Sequence, residues 1–144
     1  MNCLNYWSDN HPDIKVLGAN KTQEEYEEVY IYEQDGMKIA ILNYTYGLNG
    51  MPMPTDMPFA VDMMVEDKMS ADLAKAEAEA DFTVVCLHWG NEYQTYASEN
   101  QKMWANFFLE RGTDLIIGTH PHVIQPVEWY EDEDGNRMLV YYSI

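Results

Sequence analysis

Basic residues are scarce in this sequence: 8 lysines and arginines stand against 25 aspartates and glutamates, which gives a formal net charge of -17. A surface of this sign repels nucleic-acid phosphates and anionic lipid headgroups, so nucleic acid is not expected as a partner. The same charge disfavours an anionic substrate unless a bound cation reverses the local field. Any acidic substrate would therefore need a metal ion at the site.

Cysteine and long apolar runs are also lacking. Cys3 and Cys86 are far apart and form no Cys-x-x-Cys pair, which excludes a disulfide framework and a thiolate zinc knuckle. The apolar run FTVVCLHW, residues 82–89, is far shorter than the roughly 20 residues of a membrane helix. The first residues lack the pattern of a signal peptide. The chain is thus expected to carry neither a signal nor a transmembrane segment.

The pattern of the 144 residues predicts one α/β domain, residues 1–144. Short apolar runs alternate along the chain with segments whose apolar residues recur at helical spacing, and this order predicts a βαβαβ centre flanked by β-hairpins. The run 82–89 is typical of a strand buried on both faces of a parallel sheet. The segment 47–58, rich in proline and glycine, is predicted to be a mobile loop beside a cleft. Predicted strands or hairpins are 14–18, 29–46 turning at Asp35-Gly36, 82–89, 114–118 and 123–144 turning at Asp134-Gly135; predicted helices are 67–80 and 98–111.

Histidines follow the ends of two of the predicted strands. His88 ends the strand 82–89, while His120 and His122 follow the strand 114–118. Because a right-handed crossover leaves such strands parallel, their carboxyl ends share one edge, where open α/β sheets bind ligands. Pro121 is expected to hold His120 extended, so that His122 projects to the same side. Imidazoles suit zinc, manganese, iron or nickel, and the sequence predicts a metal site with these three histidines as ligands.

Other interpretations stay open for single residues. Considered alone, His88 could be a hydrogen-bonded structural residue instead of a metal ligand. Cys86 suits either a thiolate ligand or nucleophile beside a base, or a small core hydrophobe. Glu92 is either a solvated loop carboxylate or a group that accepts a proton and orients His88; with His120 it is the predicted catalytic pair. His11 lies in a polar turn and is expected to be solvated. A set of aromatic residues suits either a cleft wall or the core: Tyr44, Tyr46, Trp89 and Tyr93.

Several motifs carry a resemblance to a known family. The segments KIAILNYTYGLNG, VVCLHWGNEYQ, GTDLIIGTHPHVIQPVE and LVYYSI resemble the C-terminal half of the bacterial CapA family of capsule or poly-γ-glutamate synthesis proteins. The resemblance extends from about Trp7 to Ile144. That family is similar to calcineurin-like metallophosphoesterases, whose α/β/β/α sandwich holds two metal ions at the strand ends. The resemblance implies that this chain is part of such a sandwich.

The resemblance also implies roles for the histidines. His88 corresponds to the lone histidine ligand of the phosphoesterase pattern, and His120 and His122 match its Gly-His-x-His element, although Thr119 separates the glycine from the first histidine. The upstream Gly-Asp, Asn-Leu-Glu and Asn-Asn-His motifs, which would supply carboxylate and amide ligands, do not occur in these residues. The chain is therefore interpreted as a truncated C-terminal half that holds about half of the metal site.

The function implied for the intact protein is that of a metal-dependent hydrolase in capsule or poly-γ-glutamate synthesis. It would use manganese, zinc or iron, with two ions in the intact site, and act on the capsule polymer or a phosphorylated small substrate. Other capsule-synthesis proteins are implied partners, and a membrane anchor at the cell surface is the implied location. The alternative is a non-catalytic scaffold that binds a metal or the polymer. The 144 residues alone are expected to be inactive.

Overall fold

The computed structural model describes residues 2–144. The helices are α1 (Asn2–Asn10), α2 (Gln23–Glu27), α3 (Glu66–Glu79) and α4 (Glu99–Leu109). The strands are β1 (Tyr30–Gln34), β2 (Met37–Thr45), β3 (Phe82–His88), β4 (Leu115–Thr119), β5 (Val127–Glu131) and β6 (Arg137–Tyr141).

All of these strands join one mixed sheet in the order β1-β2-β3-β4-β6-β5. The central strands β2, β3, β4 and β6 are parallel, whereas β1 and β5 pair antiparallel with their hairpin partners at the two edges. The predicted α/β class, with a βαβαβ centre and flanking hairpins, is confirmed. The carboxyl ends of β3 and β4 consequently lie side by side.

Local turn chemistry explains both hairpins. Asp35 and Gly36 have φ angles of 55° and 83°, the left-handed pair that a two-residue hairpin turn needs to match the twist of its strands. In the second hairpin, the Asp132 carboxylate accepts the backbone N–H groups of Asp134 (3.0 Å) and Asn136 (2.9 Å). Gly135 has a φ of 85° between them. Both predicted turns are therefore confirmed.

The helices α3 and α4 lie on the same side of the sheet. They connect β2 to β3 and β3 to β4, so successive right-handed crossovers step in one direction and leave both helices on one face. A capping box of Ser98 and Gln101 begins α4, as the sequence predicts. Leu73 of α3 and Phe108 of α4 pack with the sheet in a single apolar core. This face, which we call the covered face, holds the fully buried side chains of the strands: Ala40, Leu42, Tyr44, Thr83, Val85, Leu87, Ile116, Met138 and Val140.

The opposite face, which we call the open face, carries the alternate residues of the same strands. Its central apolar side chains are only half-buried: Ile39, Ile41, Val84, Cys86, Leu115, Ile117, Leu139 and Tyr141. The prediction that β3 is buried on both faces is therefore wrong for the described residues, because α3 and α4 both pack on the covered face. His88, at the end of β3, belongs to the open face.

The predicted strand 14–18 does not form. This stretch is irregular, and Ala19 just beyond it makes a single bridge to Val61. On the side of β2 away from β3, β1 pairs up to Ile41 and Met63 bridges Thr45, which leaves only a short part of that edge for the stretch 14–18. A short free edge of this kind cannot complete the hydrogen-bond ladder of a strand.

The loop 47–58 contains turns but neither helix nor strand, and its mobility stays a prediction. None of the helices in residues 2–144 combines the length and the apolar character that a membrane crossing requires.

Candidate metal site

The register of the sheet places His88 in a row of polar residues at the carboxyl ends of three strands. Thr45 of β2 pairs with His88 of β3, which pairs with Thr119 of β4. Because directly paired residues project to the same face, these side chains are neighbours on the open face. The main chain after β4 then brings His120 and His122 to the same edge.

The backbone at these two histidines differs from the prediction. His120 was expected to be extended because it precedes Pro121, but its φ is 101°, and the φ of His122 is 58°. Tertiary contacts override the local preference, since Pro121 is buried and its carbonyl accepts the N–H of Tyr93 at 2.8 Å. Positive φ angles outside glycine cost free energy and persist where the surrounding structure over-determines them, commonly at functional sites.

The structure brings all of the predicted site residues together. The ring centroid of His120 lies 4.4 Å from that of His88 and 5.6 Å from that of His122. Glu92, His120 and His122 each offer one ligand atom, and these atoms lie within 4.8 Å of one another. His88 stands outside this closest group, next to His120. Glu92 was expected to act as a base or an orienting group, yet its position suits a ligand equally well.

This donor set fits a single divalent ion. Nitrogen and oxygen ligands lie about 2 Å from zinc, so ligand atoms around one ion are separated by up to about 4 Å. The Glu92 Oε1 and His122 Nε2 atoms are 3.9 Å apart, and both side chains are about half exposed. The site is therefore open to solvent, and small side-chain rotations would bring the atoms to ligand distance. The roles of Glu92, His88, His120 and His122 remain predictions.

Hydroxyl groups at the end of β2 contact the histidine rings. The Thr45 Oγ1 lies 3.0 Å from His88 Nδ1, and the Tyr46 hydroxyl lies 3.1 Å from His120 Nε2. The Tyr46 ring also stacks beside His88, with centroids 5.6 Å apart. Sequence reasoning missed Thr45 entirely and treated Tyr46 as either a cleft wall or a core residue. The sequence does show that Thr45, a residue with a hydroxyl group, ends an apolar run. That it lies next to His88 becomes clear only once the pairing of β2 with β3 is known.

The other aromatic candidates divide between the two faces. Tyr93 lies beside His122, with ring centroids 6.0 Å apart, and is exposed. Tyr44 and Trp89 are instead buried in the core of the covered face. Tyr46 and Tyr93 are therefore the aromatic residues that border the histidines.

The surroundings of His88 and of Cys86 favour the neutral forms of these two side chains. Burial lowers the pKa of His88, and the neighbouring His120 and His122 lower it further. Burial also raises the pKa of the Cys86 thiol, which disfavours the thiolate that a ligand or a nucleophile requires. Cys86 is half-buried on the open face, and these properties favour the small hydrophobe over the reactive thiol.

A buried amide network holds the loops that carry the site residues. The Gln125 side chain donates to the carbonyls of Gln94 (2.9 Å) and Tyr96 (3.0 Å) and accepts from Gln101 Nε2 (2.8 Å). Gln101 in turn accepts from Ser98 through the capping box. The network joins the loop after β3, which carries Glu92, to the loop after β4. Sequence reasoning missed Gln125 because its partners come from distant segments.

His11 lies outside the site. Its exposed ring contacts those of Tyr6 and Trp7, with centroids 5.7 Å and 5.2 Å away, at the end of α1. This position agrees with the expectation of a solvated turn residue.

The fold and the site together define a class: an α/β protein with an imidazole and carboxylate cluster at the carboxyl ends of parallel strands. The model of one family, described as bacterial capsule synthesis protein PGA_cap, matches residues 2–144. The chain belongs to this family, which confirms the resemblance drawn from its motifs.

Curated relatives agree with this membership. The chain is 27% identical over 137 residues to the capsule biosynthesis protein CapA of Bacillus anthracis and 28% identical over 140 residues to the PGA biosynthesis protein CapA of Bacillus subtilis (strain 168). Each alignment covers 92% of this chain but only 32% and 34%, respectively, of the relative. The chain thus spans about a third of the length of the relatives it matches.

Among solved structures, a Staphylococcus aureus protein assigned provisionally as a 5'-nucleotidase matches with a TM-score of 0.46 and 16% identity. The match covers 81% of this chain and 29% of that protein. A similarity of this size is too low to carry a conclusion about fold or function.

Proposed function

We propose that this chain carries the histidine part of a divalent-metal site in a metal-dependent hydrolase of capsule or poly-γ-glutamate synthesis. The observation that carries the proposal is the convergence of Glu92, His120 and His122, whose ligand atoms lie within 4.8 Å of one another. The His88 ring, 4.4 Å from that of His120, supplies a further donor at the same edge. Manganese, zinc and iron all accept imidazole and carboxylate ligands.

The net charge gives a second reason for a metal. A chain with a charge of -17 repels an anionic substrate unless a cation lies at the point of contact. When bound, a divalent ion lowers the pKa of a coordinated water and polarises a phosphoryl or acyl oxygen. We propose that Glu92 or His120 accepts or holds a proton at an oxygen or ring nitrogen that the ion does not occupy, in a cluster that is open to solvent.

Family membership supports proposals for the substrate, the partners and the location. The matched relatives are named for capsule and PGA biosynthesis, so we propose the capsule polymer or a phosphorylated small molecule as substrate, other capsule-synthesis proteins as partners and the cell surface as location. A two-metal site needs bridging carboxylates beyond the ligands of this cluster. Because the relatives are about three times as long as this chain, we propose that the complete site draws ligands from outside these 144 residues.

Calorimetric titration with zinc and with manganese tests the metal site. We expect weak binding at about pH 7.5, and a fall in affinity at about pH 5.5, because ligating nitrogens must be unprotonated. The double substitution His120→Ala with His122→Ala should reduce the affinity by more than about tenfold, since it removes direct ligands. His11→Ala, which alters a histidine outside the cluster, is the matched control. Equal affinity in the double variant and the wild type would show that the cluster is not the metal site.

An assay with a generic phosphomonoester and phosphodiester in the presence of manganese tests catalysis. We expect no turnover by the 144 residues alone. Efficient metal-dependent hydrolysis would show that the ligand set is complete within this chain. Metal binding without hydrolysis by a longer protein of this family that contains the whole site would instead favour the non-catalytic scaffold.

A further inference from the structure

The hydroxyl of Thr45 has more hydrogen-bond partners than it has protons. Thr45 Oγ1 donates to the carbonyl oxygen of Gly47 at 2.9 Å, and a carbonyl can only accept. Donation to Gly47 uses the single hydroxyl proton. In that arrangement the remaining contacts of Thr45 Oγ1, with the Gly47 N–H at 3.4 Å and with His88 Nδ1 at 3.0 Å, are ones in which the oxygen accepts.

This assignment decides the tautomer of His88. A neutral imidazole carries one N–H, and the nitrogen that donates leaves the other with a free lone pair. Because His88 Nδ1 faces an oxygen that accepts, Nδ1 carries the proton and Nε2 is left free to bind a metal. Hydrogen bonds of this kind to the distal ring nitrogen commonly orient metal-ligating histidines.

We propose that Thr45 is a positioning residue that holds His88 in the Nδ1–H tautomer and so presents Nε2 as a ligand. The part of this inference that concerns a ligand rests on the proposed metal site. The part that concerns the tautomer rests only on the hydrogen bonds of Thr45.

The backbone of Thr45 is fixed on both sides, which makes its hydroxyl a rigid acceptor. Its N–H donates to the carbonyl of Asp62 at 3.0 Å, and its carbonyl accepts the N–H of Met64 at 2.9 Å. The carbonyl of His88 accepts the N–H of Tyr46 at 3.0 Å. A group held in this way loses little entropy when it orients a ligand.

The neighbouring contact of Tyr46 with His120 does not have the same effect. The Tyr46 hydroxyl lies 3.1 Å from His120 Nε2, and a phenol can either donate or accept. No carbonyl competes for its proton among the hydrogen bonds of the described residues. The tautomer of His120 is therefore not determined by Tyr46, and Thr45 is the residue that can be tested.

Nuclear magnetic resonance of the 144-residue chain, with ¹⁵N-labelled histidine and without metal, tests the tautomer directly. At about pH 8, where an unperturbed imidazole is neutral, the His88 signals should show the Nδ1–H tautomer. Thr45→Val keeps the shape but removes the hydroxyl, and we expect the His88 population to shift toward the other tautomer. Thr45→Ser should restore the wild-type pattern.

Thr119→Val is the matched control. Thr119 belongs to the same row of the sheet, but its hydroxyl lies 3.1 Å from the carbonyl of Leu87 and donates to it, so its loss should leave the His88 tautomer unchanged. Zinc titration of the same variants gives the second measurement. Thr45→Val should bind zinc about tenfold more weakly than the wild type, while Thr45→Ser should differ little, as is usual for groups that orient ligands.

The two measurements separate the inference from the proposed function. An Nε2–H tautomer in the wild type would overturn the inference without any variant, and so would an unchanged tautomer in a folded Thr45→Val. If the tautomer responds as expected but the wild-type chain binds neither zinc nor manganese, the part that concerns the tautomer stands, while the part that concerns a ligand fails together with the proposed metal site.

Discussion

The two faces of the sheet differ in how they are packed, although both are built from the same strands. On β3, Val85 and Leu87 of the covered face are 0% and 1% exposed. Val84 and Cys86 of the open face are half-buried. The covered face thus supplies the core, while the open face carries the histidine cluster at its carboxyl end.

This difference shows that the residues that stabilise the fold and the residues of the candidate site lie on opposite faces of the same strand, β3. Successive side chains of a strand point to opposite faces, so each residue of β3 contributes either to the core or to the face of the site. Substitutions on the two faces should therefore differ in which property they change. The apolar character of both faces explains why the sequence of β3 suggests burial on each side.

The largest effect should follow from loss of a helix residue that fills the core. Phe108 of α4 is fully buried on the covered face, and Phe108→Ala should lower the free energy of unfolding by about 4 kcal/mol because it leaves a cavity. Met103→Ala on the same helix, at a side chain that is 53% exposed, should cost less than about 1 kcal/mol. Urea denaturation measures both. Similar costs would mean that α4 does not pack on the sheet as described.

A smaller and more direct effect compares neighbouring valines on β3. Val85→Ala, on the covered face, should cost about 2 kcal/mol because it removes fully buried methyl groups. Val84→Ala, on the open face, should cost less than about 1 kcal/mol, since the side chain keeps part of its contact with water. The urea midpoints of the two variants measure the difference. If Val84→Ala is the more destabilising change, the open face is packed against something that the described residues do not provide.

The smallest effect concerns Asp62, whose carbonyl accepts the N–H of Thr45 at the carboxyl end of β2. Burial raises the pKa of Asp62, and the charge of Asp72 raises it further, while Asn20 and Lys68 oppose the shift. A carboxyl with a raised pKa in the folded state binds protons more tightly there, so its contribution to stability is present below about pH 4 and is lost as the pH rises through the folded pKa.

Asp62→Asn keeps an oxygen that can accept from Asn20 Nδ2, which lies 2.8 Å from Asp62 Oδ1, but it does not titrate. The variant should therefore lose less stability than the wild type as the pH rises from about 4 toward neutrality. Urea midpoints across this range measure the slope. Asp56→Asn, in the exposed loop after β2, is the control. An unchanged slope in Asp62→Asn would show that Asp62 is not protonated more readily in the folded state.

Features with local causes were predictable from the sequence. The turn at Asp35 and Gly36 and the capping box of Ser98 and Gln101 depend on residues within a few positions of one another, and the sequence contains all of that information. The gathering of the histidines followed from a general rule about parallel strands, and the structure brings His88 and His120 together. Family membership followed from the motifs around these same residues.

Features with distant causes were not predictable. The stretch 14–18 has the composition of a strand, but most of the β2 edge beside it is taken by other segments. Pro121 favours an extended backbone at His120. The carbonyl of Pro121 accepts the N–H of Tyr93, however, and His120 has a positive φ angle instead. Thr45 contacts His88 across 43 positions of the chain, and nothing in the sequence gives the register that makes them neighbours.

The row formed by Thr45, His88 and Thr119 exists only when β2, β3 and β4 pair in the correct register. A slip of β3 by one residue against β2 would transfer every side chain of β3 to the other face. His88 would then enter the core, and Leu87 would move to the open face. A chain paired in this wrong register could retain its secondary structure but would lose the proposed site. Metal binding by a refolded sample would therefore report the fraction of molecules whose central strands have aligned correctly, which circular dichroism cannot distinguish.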